Sequence, residues 1–461
     1  MAVCFQRLLS SLEFVNRIDA ELYRPDLIRS YQCLISSDLA LHKMRYLCLI
    51  RSGTTPPDRE DGLTEGAILF KTTDVRNKVI SPTGDFYRIP FSIHSRMLKT
   101  RIQNGDVLLN IVGATLDVIG RSAFMADLQG QEANITQAMV FLRGKRGDVC
   151  PGYLFAYLNT EYAKDQIRRY ARPTGQYNLN LHEVGEIVVP LFDRETQSCI
   201  EEFVYKSGEL QESSVAKYSQ AQSLLESELG LDKLTFDKPV SYAARFSEVA
   251  LSQAISANRI DAQCFSPAAL QYEHVLSTLP NVQPIRFLTA AMVKGAQQEE
   301  SPDGTIPYVS IKHIQNNEIV AEGNSRRFKG MPVAKQGDLL LAITGATIGK
   351  VGIVSRYEEL TFSGDMLAIT TNGSIDPHYL LAFLSHSIGQ VQLQRWITGS
   401  TNGHLSPHDV GRALIPRLDE KIEARIASLI KDSIDKTHES ERLLEQAKHR
   451  VETLIEEAIA A

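Results

Sequence analysis

Arginine, glutamine and threonine can between them bond phosphate oxygens and base edges, and one short stretch of this chain gathers all three. Lys164, Arg168, Arg169 and Arg172 are followed at once by Thr174, Gln176 and Tyr177. Arginine reaches phosphate or guanine, glutamine can bond adenine through both amide atoms, and threonine serves either. The stretch therefore reads as a contact surface for DNA. A second stretch runs Arg395, Trp396, Ile397, Thr398, Gly399, Ser400, Thr401, Asn402, Gly403, His404. Its small hydroxyls and glycine-rich backbone suit phosphate or base-edge contact, so Arg395, Ser400, Thr401, Asn402 and His404 join the candidates. Trp396, the only tryptophan, reads as core rather than as a stacking platform. A third pair of sites is the turn Gly113-Ala114-Thr115 and its twin Gly345-Ala346-Thr347-Ile348-Gly349-Lys350. A nucleotide-binding phosphate loop would need one more residue before the lysine and a hydroxyl residue where Val351 stands. That leaves Thr115, Thr347 and Lys350 as DNA contacts, or as parts of a tight turn whose glycines take positive φ.

No catalytic constellation accompanies these residues. A base-directed amino-methyltransferase needs an acidic or amide residue before a Pro-Pro-aromatic run, and the only Pro pair, Thr55-Pro56-Pro57, lacks both flanks. Pro57-Asp58 and Pro302-Asp303 lack the Glu-x-Lys of a magnesium-dependent nuclease. Cys4, Cys33, Cys48, Cys150, Cys199 and Cys264 are scattered, with no C-x-x-C pair and no zinc spacing. The expectation is a chain with no catalytic centre, no metal and no cofactor of its own.

A chain of 461 residues with 43% hydrophobic and 23% charged residues falls in the ordinary globular range. No stretch approaches the roughly 18 apolar residues that cross a bilayer, and the N-terminus has no leader pattern, so a cytoplasmic location is expected. The net charge of −6 argues against a nucleic-acid partner only until its distribution is read. Asp193 to Gly230 carries net −5 and Arg417 to Ala461 net −3, which leaves the remainder at +2.

Internal repetition explains that distribution. Asn16-Arg17-Ile18-Asp19-Ala20 recurs as Asn258-Arg259-Ile260-Asp261-Ala262. Gly105-Asp106-Val107-Leu108-Leu109, leading through Gly113-Ala114-Thr115 to Gly120, is echoed by Gly337-Asp338-Leu339-Leu340-Leu341, Gly345-Ala346-Thr347 and Gly352. The longest echo matches Tyr153 to Pro190 with Tyr379 to Pro416 without a gap. Each copy reads as a mixed region followed by a long helix. Short apolar runs predict strands at 67–70, 107–112, 138–142 and 187–189, then at 308–311, 339–344 and 366–370. Leu154, Tyr157 and Leu158, like Leu380, Phe383 and Leu384, predict a helix between them.

Past Pro190 and Pro416 the chain turns glycine-poor and charged, with apolar residues at spacings of three and four, among them Ile200, Val204 and Leu225, then Ile426, Ile430, Leu443, Ala447 and Val451. A helix of about 36 residues would run on the order of 54 Å and cannot bury such a stripe in its own module. Its expected partner is the equivalent helix, antiparallel and related by pseudo-two-fold symmetry.

These motifs together resemble the specificity subunit of type I restriction-modification enzymes, and the resemblance covers essentially the whole chain. It carries the RIDA openings, the GD-x-L-L strands running into GAT turns, and the proline-led entries to the long helices. The resemblance implies an α+β protein with two similar mixed α/β target recognition domains, 1–192 and 236–416, each followed by a spacer helix, 193–235 and 417–461. It implies a phage-defence role in which double-stranded DNA is read as a split, asymmetric site. Docking on two half-sites along one face of a duplex would set their separation in multiples of about 34 Å. Two DNA adenine methyltransferase subunits would bind alongside and carry S-adenosylmethionine, with a restriction or motor subunit as a further partner. The alternative reading is an assembly protein whose helices oligomerise and whose mixed domains bind protein.

Overall fold

A computed structural model describes residues 20–57, 61–145, 147–173, 175–231, 243, 245, 247, 259, 261–399 and 403–460. Of the two RIDA openings, residues 16–19, 258 and 260 lie outside the described residues. The chain divides into two compact units, residues 1–213 with 436–461 and residues 214–435.

In the first unit a five-stranded sheet has the order Cys48–Ser52, Met139–Gly144, Val107–Asn110, Ser122–Phe124, Lys78–Val79. A smaller sheet places Ala67–Phe70 between Arg88–Ile89 and Ala133–Ile135. The second unit is built alike. Thr289–Lys294, Met366–Thr371, Leu339–Ala342, Val351–Ile353 and Glu318–Ile319 form its larger sheet, extended by Ile314–Gln315, while Ile306–Val309 lies between Gly323–Ser325 and Glu359–Phe362 in the smaller, which Val333–Lys335 closes. The equivalent contacts share orientation as well as order. The pairings 67–70 with 133–135 and 306–309 with 359–362 are both parallel.

The repeated motifs are turn chemistry. In Gly105-Asp106 and Gly337-Asp338 the glycines take φ of 83° and 90°, a conformation open at little cost only to glycine. The aspartates then accept the Gln103 and Lys335 N–H, each at 2.8 Å, closing the turn into the central strand. Gly53 and Gly295 leave the edge strands where a Cβ would stand 2.1 Å from the Ile135 or Ser363 carbonyl oxygen. One sequence pairing shifts in three dimensions. Gly120 N–H donates to Asn110 O, and its counterpart is Gly349, whose N–H donates to Ala342 O, rather than Gly352, which lies inside the strand Val351–Ile353.

Each large sheet is covered by two helices, Pro151–Leu158 and Glu161–Tyr170 in the first unit, Pro377–Ser385 and Ser387–Gln394 in the second. Behind them runs a three-residue strand, Val188–Pro190 or Leu414–Pro416, paired on one edge to Leu41–Lys43 or Val282–Pro284. Side chains satisfy the other edge. Val188 N–H donates to Gln166 Oε1 at 2.8 Å and Gln166 Nε2 returns a bond to Val188 O at 3.1 Å. Gln392 makes the same two bonds with Leu414, at 2.8 and 3.0 Å. The Tyr153 and Tyr379 hydroxyls donate to Pro190 O and Pro416 O.

The long helices follow as Arg194–Leu229, 36 residues, and Glu420–Ala460, 41 residues. The Thr196 N–H and hydroxyl bonded to Asp193 hold that exposed carboxyl below the usual carboxylate range, the signature of an N-cap. Gly230, at φ 65°, closes the first helix. Each unit takes the start of one helix with the end of the other. In the first, Ile200 and Val204 share a core with Ala447, Val451 and Ile455, and the buried hydroxyls of Ser207 and Ser440 lie 2.8 Å apart. In the second, Ala221, Leu225 and Leu229 pack with Ile426, Ile430 and Ile434, and Ser214 donates to Ser433 O at 2.7 Å.

Replacing Gln392 by Leu removes the side chain that serves both backbone groups of Leu414. The variant should lose about 2–3 kcal/mol of stability, measured by urea denaturation, and Gln166→Leu should lose a similar amount.

Candidate nucleic-acid interface

The loops that carry the candidate residues collect at one end of each large sheet, because the strands that feed them end there together. In the first unit Ser52, Asn110 and Met139 are neighbours across the ladder. Hydrogen bonds then knit the emerging loops. Gly53 N–H donates to Met139 O, Ile111 N–H to Ala138 O and Leu179 N–H to Ile111 O, while the Asn110 amide donates to Thr72 O. The hairpin of Arg172–Pro173 and Tyr177–Asn178 adds itself to the strand Val112–Gly113. Its tip residues are polar and outward: Arg172 and Gln176 are exposed, Tyr177 is half-buried, and Thr115 is exposed on the neighbouring turn. Thr174 lies outside the described residues.

Lys164 and Arg168 approach the same turn from the helix Glu161–Tyr170. With Leu116, Asp117, Gly120 and Arg121 they line a cleft of ≈ 240 Å³. Both cations are engaged on their own helix, Lys164 with Glu161 at 3.3 Å and Arg168 with Glu161 and Asp165 at 3.1 and 3.4 Å. Partly exposed pairs of this kind contribute little, so a phosphate can replace the carboxylates at small cost. Arg172 is more firmly held, at 2.5 Å from the buried carboxylate of Glu183.

In the second unit Gly295 N–H donates to Met366 O, Ile343 N–H to Asp365 O, Leu405 N–H to Ile343 O and Gly345 N–H to Gly403 O. The Thr344 hydroxyl donates to Asp365 Oδ1 at 2.6 Å. Gly345–Thr347 is a single helical turn, with Gly345 and Gly349 at φ of 79° and 94°, and it leaves Thr347 and Lys350 exposed. His404 is half-buried and bridges Thr344 and Thr398 through its backbone. Ser400, Thr401 and Asn402 lie outside the described residues.

Two candidates are corrected. Arg169 is fully buried, its Nε donating to Leu22 O at 2.6 Å and its guanidinium 4.6 Å from the centre of the Tyr31 ring. Arg395 is its counterpart, donating to Cys264 O at 2.9 Å, paired with Glu273 at 3.1 Å and lying 5.2 Å from the Trp396 ring. Both clasp the first segment of their unit to the second covering helix, so neither is available to DNA. Trp396 is core, as its neighbours required.

Sequence reading missed Arg121 in the cleft, and Thr54, Thr55 and Gln137 in the loop cluster. Their common signal was weak: each lies just beyond an apolar run, at the end the turns share. Among the described residues no cluster of three or more His, Cys, Asp or Glu is placed to hold a metal ion. Burial pushes the thiols of Cys48 and Cys264 up to about 12 and about 11, which keeps them protonated and unreactive. Among the described residues no helix is long and apolar enough to cross a membrane.

No family model matches the chain, and no curated protein does. Among solved structures it is similar to the S subunit of a type-I restriction-modification system from M. genitalium, at 12% identity over 92% of this chain and 96% of that one, with a TM-score of 0.43. It is also similar to the HsdS subunit from Thermoanaerobacter tengcongensis, at 14% identity over 91% and 96% with a TM-score of 0.29. A structure described for complex assembly and conformational transition of the type I R-M system matches at 13% identity over 91% and 97%, also with a TM-score of 0.29.

Buried arginine and exposed lysine separate by experiment. Arg395→Met should cost about 3 kcal/mol, since it removes the buried guanidinium that bonds Cys264 O and Glu273, whereas Lys350→Ala should stay within about 0.5 kcal/mol of the unaltered chain. Thermal denaturation of both variants checks this.

Proposed function

We propose that the chain is the DNA-reading specificity subunit of an adenine methyltransferase or restriction-modification complex, and that it performs no catalysis itself. The observation that carries this reading is one scaffold used twice with different side chains at its loop end. The first copy offers Thr115, Lys164, Arg168, Arg172, Gln176 and Tyr177 there; the second offers Thr347, Lys350 and His404, in a chain segment that also contains Ser400, Thr401 and Asn402. Similar scaffolds with largely unlike tips suit two different short sequences, hence a bipartite and asymmetric site. The donors fit the chemistry: exposed Lys and Arg for phosphates, Gln and Thr for base edges.

The acidic surplus sits in the long helices rather than in the loop ends. That distribution keeps the loop ends accessible to a polyanion. Methylation, and the S-adenosylmethionine it consumes, belong on this reading to two partner subunits bound to the chain.

Methylome sequencing of cells that carry the complex should reveal adenine methylation at a split asymmetric sequence, and a single contiguous palindrome would refute the bipartite reading. Titration of random duplex at several salt concentrations should give log K falling steeply with log salt, with Lys350→Ala reducing the slope by about 1. A slope near zero would favour a protein-binding assembly role instead.

A further inference from the structure

Apart from the paired Gly-Ala-Thr turns, the two copies differ at their loop ends, and they also agree at a place on the opposite end of the sheet. A short turn precedes each edge strand: Met44–Leu47 before Cys48–Ser52, and Ile285–Phe287 before Thr289–Lys294. Their equivalence is set by the backbone, since Met44 N–H donates to Ile187 O and Ile285 N–H to Ala413 O, each at 2.8 Å. Each turn presents an arginine followed by an aromatic ring. Tyr46 and Phe287 are each 62% exposed. The guanidinium stacks on the ring in both, Arg45 at 5.1 Å from the Tyr46 centroid and Arg286 at 4.8 Å from that of Phe287.

A short helix flanks each ring, Leu181–Glu186 or Pro407–Val410, and carries an exposed histidine, His182 or His408, that is identical in the two copies. Gly185 and Gly411 are identical too. A Cβ there would lie 3.2 Å from Arg45 Cβ in the first copy, and 3.1 Å from His408 O and 3.4 Å from Arg286 Cβ in the second, so each glycine packs closely beside the arginine stem. Leu181 adds a further exposed apolar side chain to the first patch. The rim of each patch is cationic. Lys43 and Arg45 surround the single carboxylate of Glu186, and in the second copy Arg286 is joined by Arg412, which pairs with Asp409.

A surface kept alike in two copies that otherwise diverge at their exposed ends answers to one partner present twice. The geometry points to this aromatic, arginine and histidine patch as a docking site for a protein, one copy per unit, which presents an apolar side chain flanked by acidic residues. A nucleic acid is disfavoured because the patch lies across the length of the sheet from the loop end, and because two half-sites of unlike sequence would not call for like surfaces. Resting on the functional reading above, the partner is the methyltransferase subunit.

The chain, co-expressed with an adenine methyltransferase subunit of a type I system, is weighed by native mass spectrometry, with duplex affinity measured in parallel. The unaltered chain should carry two methyltransferase copies, Tyr46→Ala and Phe287→Ala one each, and the double variant none at the same concentration. Thermal midpoints should not move, because both rings are exposed. Two copies retained by the double variant would overturn the docking site while leaving the functional reading intact. Loss of duplex affinity in the single variants at unchanged stoichiometry would make the patch a nucleic-acid contact and equally overturn it. Failure of the unaltered chain to hold any methyltransferase would overturn the functional reading and this assignment together.

Discussion

The strand that introduces each long helix is short and has a backbone partner on one edge only. Left so, its buried N–H and carbonyl groups would each cost on the order of 1–3 kcal/mol. Gln166 and Gln392 remove that cost by acting as a substitute strand, one amide donating and accepting against Val188 and Leu414. The tyrosine hydroxyls at 153 and 379 complete the edge at Pro190 and Pro416. Because the covering helices and the helix-initiating strand are bonded by side chains, the origin of each long helix is fixed to the sheet whose other end carries the loops. The loop end and the long helix of a unit are both referenced to this junction.

The buried arginines extend the same device toward the start of each unit. Arg169 and Arg395 sit three residues after their glutamines on the same helix face, and they reach carbonyls at Leu22 and Cys264 more than a hundred residues earlier. A guanidinium is weakly hydrated for a cation and stacks on aromatic rings, which makes it tolerable in the interior where lysine would not be. The two copies solve its remaining needs differently, with Tyr31 over one and Glu273 beside the other.

A division of labour follows. Residues shared by the copies hold backbone: the Gly-Asp turns, the close-approach glycines at 53 and 295, the glutamines, tyrosines and arginines. Residues that differ face outward at the loop end, where the scaffold tolerates change because its hydrogen bonds run through main-chain atoms such as Gly53, Ile111, Gly295 and Ile343. The patch around Tyr46 and Phe287 is likewise shared yet exposed, as are Thr115 and Thr347 on the paired turns.

Duplication, the Gly-Asp turns, the strand positions and the long helices were legible in the residues themselves, since each rests on local periodicity or on a backbone angle only glycine takes cheaply. Even the inward role of Arg169 left a trace, three residues past Gln166 on the face of Ala163, Ile167 and Tyr170. What the residues could not convey was which charges find partners across the fold. Arg169 and Arg168 are adjacent in the chain, yet one is interior and the other lines a cleft, because Leu22 and Tyr31 arrive from another segment. Pairing Gly120 with Gly349, and gathering separate loops at one sheet end, likewise depend on ladder register between strands far apart in sequence. Local chemistry determined the elements and the repeat; long-range packing alone decided which side chains face water and stand together.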